Sequence, residues 1–95
     1  MITGKQRAKL RGMANQISAL YQIGKDGITE NILKQFEDAL EARELIKVHI
    51  LESALLDTRE AADDIAKRLN AEAVQAIGSK FVLYRKSKNN PKIEL

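Results

Sequence analysis

The chain has no cysteine and no tryptophan, and only one proline and one histidine among its 95 residues. Without cysteine it can form neither a disulfide scaffold nor a thiolate metal site, as is usual in a reducing cytoplasm. His49 alone supplies too few partners for a zinc site, and no serine lies in the context of a catalytic nucleophile. No apolar run approaches the ~20 residues that are needed to cross a bilayer. The charged N-terminus is not followed by the apolar segment of a secretory signal. We therefore predict a cytoplasmic protein that is not an enzyme and has no metal, cofactor or membrane partner.

A chain of this length has room for one hydrophobic core. Its residues are 44% hydrophobic and 31% charged, the composition of an ordinary globular protein rather than of a disordered segment. We therefore predict a single domain over residues 1–95 that is a monomer. Asn89, Asn90 and Pro91 interrupt the last segment, so we expect residues 87–95 to form a flexible tail.

The net charge of +3 is mild, but the charges are unevenly distributed. Most carboxylates lie between Glu30 and Glu72, whereas residues 1–11 and 80–92 contain none. The cations of these two segments are Lys5, Arg7, Lys9 and Arg11 near the start and Lys80, Arg85, Lys86, Lys88 and Lys92 near the end. If the two ends meet in the fold, the molecule has one positive face, which attracts polyanions.

Apolar periodicity and capping signals predict three helices, at about residues 3–17, 29–43 and 57–70. Short β-prone runs predict four strands, at about residues 20–23, 45–51, 73–77 and 81–86. In the second strand Lys47 and His49 alternate with apolar residues, which predicts a sheet with one buried face and one partly solvated face. Right-handed crossovers in the order α-β-α-β-α-β-β place the helices mainly on one side. The predicted fold is an α/β two-layer sandwich with a four-stranded mixed sheet.

Gly24-Lys25-Asp26-Gly27, called here the GKDG loop, joins a predicted strand to a predicted helix. Backbone N–H groups at such a junction can converge on an anion, and glycines let a phosphate chain approach closely. Loops of the form GxxG hold nucleic-acid backbone in KH domains. Because strand-to-helix turns also use glycine for steric reasons alone, the loop by itself predicts an anion site and a plain turn about equally. It lacks the Lys-Ser/Thr of a nucleotide-binding P-loop.

Two further groups of cations are candidates for contact with a polyanion. In the first helix Lys5 and Lys9 share one face, while Arg7 and Arg11 share another about 160° away. A solvated helix end and neutralisation by phosphates both explain this acid-free helix. The candidates from the last strand and the turn before it are Lys80, Arg85 and Lys86.

Four segments, spaced along nearly the whole chain, resemble the bacterial YhbY-like proteins, which are stand-alone members of the CRM-domain family (chloroplast RNA splicing and ribosome maturation). These segments are residues 3–11, 23–29, 39–48 and 74–85. The resemblance implies a fold like the C-terminal domain of bacterial translation initiation factor three. It also implies binding to RNA of large-ribosomal-subunit precursors, with contacts from Gly24, Lys25, Asp26, Gly27 and the basic helix.

The leading hypothesis is therefore an RNA-binding protein that acts in assembly of the large ribosomal subunit, with ribosomal RNA or its precursor as partner. The alternative is an adaptor that docks on ribosomal proteins through an open sheet face containing Lys47 and Tyr84. An enzyme acting on RNA would need a poised base or a metal site, and the sequence offers neither.

Overall fold

A computed structural model of the protein describes residues 2–95, so that Met1 of the predicted domain lies outside the described residues. The helices are α1 (Gly4–Ala14), α2 (Glu30–Arg43) and α3 (Thr58–Leu69), with a short 3₁₀ helix at Glu52–Ala54. The strands are β1 (Tyr21–Ile23), β2 (Leu45–Ile50), β3 (Glu72–Ile77) and β4 (Lys80–Tyr84). This order and the α/β class confirm the prediction.

Side-chain caps explain where the helices begin. The Thr3 hydroxyl accepts the N–H of Gln6 at 3.1 Å, and the Gln6 side chain accepts the N–H of Thr3 at 2.9 Å. Thr29 and Asp57 cap α2 and α3 in the same way, accepting from backbone N–H groups three residues on. Each bond satisfies a donor that the first helical turn leaves unpaired.

The sheet has the strand order β1-β2-β4-β3. β1 runs parallel to β2, and β4 runs antiparallel to both of its neighbours, so the mixed four-stranded sheet is confirmed. Helices α2 and α3 cover one face, where Phe36, Ile65 and Phe81 are fully buried. β2 and β4 are therefore the two central strands.

The second face of the sheet is more covered than the sequence predicts. Leu10 and Ala14 of α1 are fully buried against Val82 and Tyr84 of β4, so α1 lies opposite the other two helices. The run from Phe81 to Tyr84 is buried throughout, and such continuous apolar runs mark strands that are covered on both faces. The expected open polar face is therefore limited to the part of the sheet that α1 does not reach.

Helix α1 ends at Ala14 rather than at residue 17. The Ala14 carbonyl oxygen accepts from the N–H of Ile17 at 3.3 Å and from Nζ of Lys47, also at 3.3 Å. A lysine at this position stabilises the carbonyl end of a helix. Ile17 still packs on the second core, although it does so from a turn.

Residues 87–95, expected to form a flexible tail, contact two glutamates at the end of α2. Glu44 is fully buried, and its carboxylate accepts the N–H groups of Ser87, Lys92 and Ile93 at 2.8, 2.6 and 2.7 Å. Burial raises the pKa of Glu44, but these three hydrogen bonds outweigh it and lower the pKa overall. The contacts argue against free motion, and the flexibility of the tail stays a prediction.

Acid should release part of this tail. The N–H of Lys88, the hydroxyl of Ser87 and the N–H of Asn89 lower the pKa of Glu41 from 4.5 to about 2. Because the folded-state pKa is depressed, these bonds are fully present above about pH 4.5 and are lost as the pH falls through 2. In an NMR titration we expect the amide protons of Lys88 and Asn89 to shift with a midpoint near pH 2. Glu41→Gln should abolish this transition, and a midpoint near 4.5 would contradict the assignment.

Candidate nucleic-acid interface

The GKDG loop forms a tight turn at the end of β1. The N–H of Gly27 donates to the carbonyl oxygen of Gly24 at 2.9 Å, which places Lys25 and Asp26 at the corner of the turn. Both corner side chains are exposed. The loop is therefore open to a ligand, as an anion site requires.

The two glycines of the loop have different physical roles. Gly27 has a φ of +70°, in the left-handed region that side chains disfavour. Gly24 has no such φ, and a Cβ built on it would lie 3.8 Å from Cδ1 of Leu51, an ordinary contact. Gly27 is thus required by the turn, whereas the backbone conformation of Gly24 accepts other residues.

Backbone donors stand beside the loop at the start of α2. Thr29 accepts the N–H of Ile32 through its hydroxyl and the N–H of Leu33 through its carbonyl oxygen. Within residues 2–95 the N–H groups of Glu30 and Asn31 have no acceptor. Unpaired donors at a helix N-terminus, with the helix dipole behind them, attract anions.

The sheet register brings Lys80 to the same end of the molecule as the loop. Leu51 donates its N–H to the Ile23 carbonyl oxygen at 2.9 Å, and Ile50 donates to that of Ser79 at 2.7 Å. The GKDG loop and the β3–β4 turn therefore flank the end of β2. Two strand spacings, about 10 Å, separate them.

A row of polar side chains crosses the sheet beside the loop. Gln22 pairs with His49, and His49 pairs with Lys80. Gln22 and Lys80 are exposed and His49 is half-buried. We call these three residues the polar row. Nothing in the sequence marks Gln22 or His49 as a contact residue, although the alternation in β2 places His49 on the partly solvated face.

The predicted cations of α1 do not gather in one cluster. Nη1 of Arg7 donates to the carbonyl oxygens of Ala73 and Val74 at 2.6 and 3.3 Å, and Nη2 lies 3.8 Å from Glu72. A bulge in β3 between Ala73 and Gln75 accompanies this contact. Arg7 therefore points to the sheet edge opposite β1 and is excluded from the proposed interface.

The other cations of α1 are exposed. Nζ of Lys9 donates to the carbonyl oxygen of Glu94, whereas Lys5 and Arg11 form no ion pair within residues 2–95. α1 ends beside the polar row, since Asn15 lines a small cavity together with Lys80. Arg11, in the last turn, is thus the α1 cation best placed to extend a surface that begins at the loop.

The prediction that Arg85 is a contact residue is wrong, because the side chain is buried. Its guanidinium donates to the Leu69 carbonyl oxygen at 3.0 Å and forms ion pairs with Glu37 and Glu41. Its hydrogen bond, followed by its charge, lowers the pKa of Glu37. Loss of these partners would leave the buried charge of Arg85 uncompensated, so Arg85 is not available to a ligand.

Lys86 is exposed but lies beyond the far end of β4 from Lys80. At about 3.4 Å per residue, roughly 20 Å of extended chain separates the two lysines. The predicted single positive face is therefore divided between the two ends of the sheet. The loop and Lys80 lie at one end, and Lys86 lies at the other.

The sheet surface named by the adaptor hypothesis is largely covered. Tyr84 is only 6% exposed, because it packs in the second core under α1. Lys47 is half-buried and donates to the end of α1. The adaptor alternative therefore loses the open surface on which it depended.

Several of the charges on the outer surfaces of α2 and α3 are paired. Three exposed pairs join residues four apart on these helices: Lys34–Asp38, Arg59–Asp63 and Arg68–Asp64. Within residues 2–95, Lys25 and Lys80 have no such partner. Arg43 and Lys67, in the last turns of α2 and α3, likewise form no ion pair within that range, so the uncancelled cations are not confined to the loop end.

No group of three or more histidine and carboxylate side chains in the described part of the chain could hold a metal ion. No helix of residues 2–95 is long and apolar enough to span a membrane.

Comparison with known proteins gives consistent matches over nearly the full length. A family model described as the CRS1 / YhbY (CRM) domain matches residues 2–85. The "Probable RNA-binding protein YqeI" of Bacillus subtilis is 44% identical over 95 residues, covering 100% of this chain and 99% of that protein. A Haemophilus influenzae protein named "RNA-binding protein" is 34% identical, with 99% of this chain and 94% of that protein covered.

The fold also matches a solved structure. The solution structure of the hypothetical protein SAV1595 from Staphylococcus aureus superposes with a TM-score of 0.83 at 50% sequence identity. The match covers 100% of this chain and 99% of that one. The fold described above is therefore shared by a protein of 50% identical sequence.

The different roles of the two loop glycines can be tested by stability measurements. Gly27→Ala should lower the free energy of unfolding by about 1 kcal/mol, because an alanine is strained at positive φ. Gly24→Ala should leave stability nearly unchanged, since its Cβ meets only an ordinary contact. Urea denaturation of both variants checks this difference. Equal losses in the two variants would contradict the geometry.

Proposed function

The chain belongs to the CRS1 / YhbY (CRM) domain family, and on this basis we propose that it is an RNA-binding protein whose interface is the GKDG loop and the polar row. The observation that carries the proposal is the exposed turn itself. It presents Lys25 at its corner, beside the unpaired N–H groups of Glu30 and Asn31. Lys80 adds a second uncancelled cation about two strand spacings away.

Phosphate oxygens suit this set of donors. Backbone N–H groups donate in fixed directions, while the ammonium groups of Lys25 and Lys80 supply charge without a preferred geometry. Gln22 and His49 of the polar row bring side chains that can hydrogen-bond to sugar or base edges. Contacts of this kind position an RNA backbone and read shape more than sequence.

Asp26 limits the strength of the site. Its exposed carboxylate stands next to Lys25 at the corner of the turn and repels phosphate. The backbone N–H donors still point in fixed directions, because the turn and α2 set them. We therefore assign the loop a positioning role in which amide donors matter as much as charge.

Replacing Lys25 tests the interface directly. If one phosphate contact is lost, Lys25→Ala should weaken RNA binding about fivefold, the equivalent of about 1 kcal/mol. For four to six neutralised phosphates, the slope of log affinity against log salt concentration should be roughly −3 to −4. In the variant this slope should be less steep by about 1. Fluorescence anisotropy with labelled single-stranded RNA measures both quantities.

Lys67→Ala is the matched control, because Lys67 is, like Lys25, an exposed lysine without an ion pair in the described part of the chain, and it lies in the last turn of α3. Its affinity and salt slope should equal those of the unmodified protein. Equal effects of the two variants would show that binding follows total charge rather than the loop.

We further propose that the RNA belongs to large-ribosomal-subunit precursors, and that the protein acts there in assembly. This step rests on the family resemblance. Cross-linking of the protein to RNA in cell extract, followed by sequencing of the bound fragments, should enrich large-subunit ribosomal RNA. Random coverage of cellular RNA would contradict this part of the proposal and leave general RNA binding.

A further inference from the structure

An apolar groove lies along the β1 edge of the sheet. β1 begins at Tyr21, which pairs with Val48, so the first three residues of β2 extend past the start of β1. The uncovered edge opens a cavity of about 510 Å³. We call it the edge groove; its larger apolar lining residues include Met13, Ile17, Leu20, Tyr21, Leu45 and Ile93. This volume is within the range of ~300–1,000 Å³ that is usual for small-ligand sites.

The charged residues of the edge groove are all cations. They are Arg43, Lys47 and Lys92, and no carboxylate belongs to the lining, all of which lies in the described part of the chain. Nζ of Lys92 donates to the Ala42 carbonyl oxygen at 3.1 Å, which leaves other donors of that ammonium free. An apolar floor with a positive rim complements a ligand that is flat and apolar in one part and anionic in another.

Tyr21 gives the groove an aromatic surface. Of the four aromatic side chains, Phe36, Phe81 and Tyr84 are buried, and Tyr21 alone is partly exposed. Its ring meets Phe36 edge to face at a centroid distance of 5.9 Å and an angle of 80°, which holds it in place. Exposed aromatic rings on RNA-binding proteins stack unpaired bases.

One wall of the groove is held by the buried Glu44. The carboxylate that binds the N–H groups of Lys92 and Ile93 positions both residues where they line the cavity. The wall therefore exists before a ligand arrives, and less ordering is required on binding.

The edge groove is continuous with the proposed phosphate site. Residues Tyr21–Ile23 lead from the groove to the GKDG loop, a distance of about 10 Å along β1. A stacked strand advances about 3.4 Å per nucleotide, so roughly three nucleotides span this distance. A single strand held at the loop is therefore long enough to reach the groove.

We propose that the edge groove binds one unpaired nucleobase of the same RNA that contacts the GKDG loop, with Arg43 and Lys92 on the flanking phosphates. This inference rests on the proposed RNA binding and adds to it a base site that the loop does not provide. An acidic, leucine-rich peptide has similar chemistry, but the closeness of the groove to the loop and its partly exposed tyrosine favour the base.

Single-stranded RNA of eight nucleotides, with each base removed in turn, tests the proposal by fluorescence anisotropy. Removal of the base that occupies the groove should weaken binding roughly five- to one-hundredfold, the usual effect of losing one aromatic stack. Leu20→Glu should weaken binding of the intact RNA, and removal of that same base should weaken the binding of this variant no further. Arg43→Glu should weaken binding of the intact RNA through the flanking phosphate.

Matched controls exist for both variants. Leu20 is 62% exposed, and Leu55 is 90% exposed away from the groove, so Leu55→Glu controls for adding a carboxylate at an exposed leucine. Arg43 and Lys67 both lie in the last turn of a helix, so Lys67→Glu controls for the reversal of charge. Thermal unfolding of all four variants verifies that each remains folded.

The outcomes separate the base site from the loop site. If the groove variants bind every RNA like the unmodified protein while Lys25→Ala binds more weakly, the base site is wrong and the proposed function stands. If the groove variants lose only binding of a Leu- and Glu-rich peptide, the groove is a peptide site and the inference is overturned. If the unmodified protein binds no RNA, both proposals fail.

Discussion

The burial of β2 and β4 from both sides is the constraint on which the rest of the structure depends. β4 is apolar from Phe81 to Tyr84, so neither face of it can remain in water. Helices α2 and α3 cover one face, and α1 must cover the other. Because α1 is only 11 residues long, it leaves one end of that face and one edge of the sheet uncovered. The polar row occupies the uncovered end, and the edge groove occupies the uncovered edge.

A polar cluster at the opposite end of the sheet completes the fold. Arg85, Glu41 and Glu44 are charged, yet their contacts are internal. The arginine donates to a carbonyl oxygen at the end of α3, and the two glutamates accept backbone N–H groups from the segment 87–93. Glu44 does this from a φ of 65°, a strained conformation for a residue with a side chain. Its three hydrogen bonds offset that strain. A charged side chain that makes such internal contacts cannot also contact a ligand. The number of cations in the sequence therefore overstates the extent of the binding surface.

The proposed RNA surface follows the β1 edge as a consequence of the topology. A parallel β1–β2 pair requires a crossover, which here leaves β1 through the GKDG loop, continues as α2 and reaches the edge groove at Arg43. The loop and the groove are therefore the two ends of one β-α-β unit. One end supplies backbone donors and a lysine, and the other supplies an aromatic ring, aliphatic side chains and cations. A polyanion with flat apolar bases matches both ends together better than it matches either alone.

Local features of this protein were determined by the sequence alone. The caps at Thr3, Thr29 and Asp57, the element order and the turn at Gly24–Gly27 depend on neighbours within a few residues, and each was predictable for that reason. The family was recognisable because its four segments keep their order and spacing along the chain. The sequence also contains a signal that β4 is buried on both faces, namely the unbroken apolar run from Phe81 to Tyr84. The alternation in β2 pointed instead to a sheet with one partly solvated face.

Only the tertiary structure decided which cations face solvent. Arg7 and Arg85 resemble Arg11 and Lys86 in sequence, but the first pair meets carbonyl oxygens and carboxylates from residues 16 to 67 positions away. The same holds for the tail, whose partners at Glu41 and Glu44 lie more than 40 residues earlier. Contacts between residues so far apart produce no periodic pattern in the sequence, because they depend on where the strand ends lie in the folded sheet.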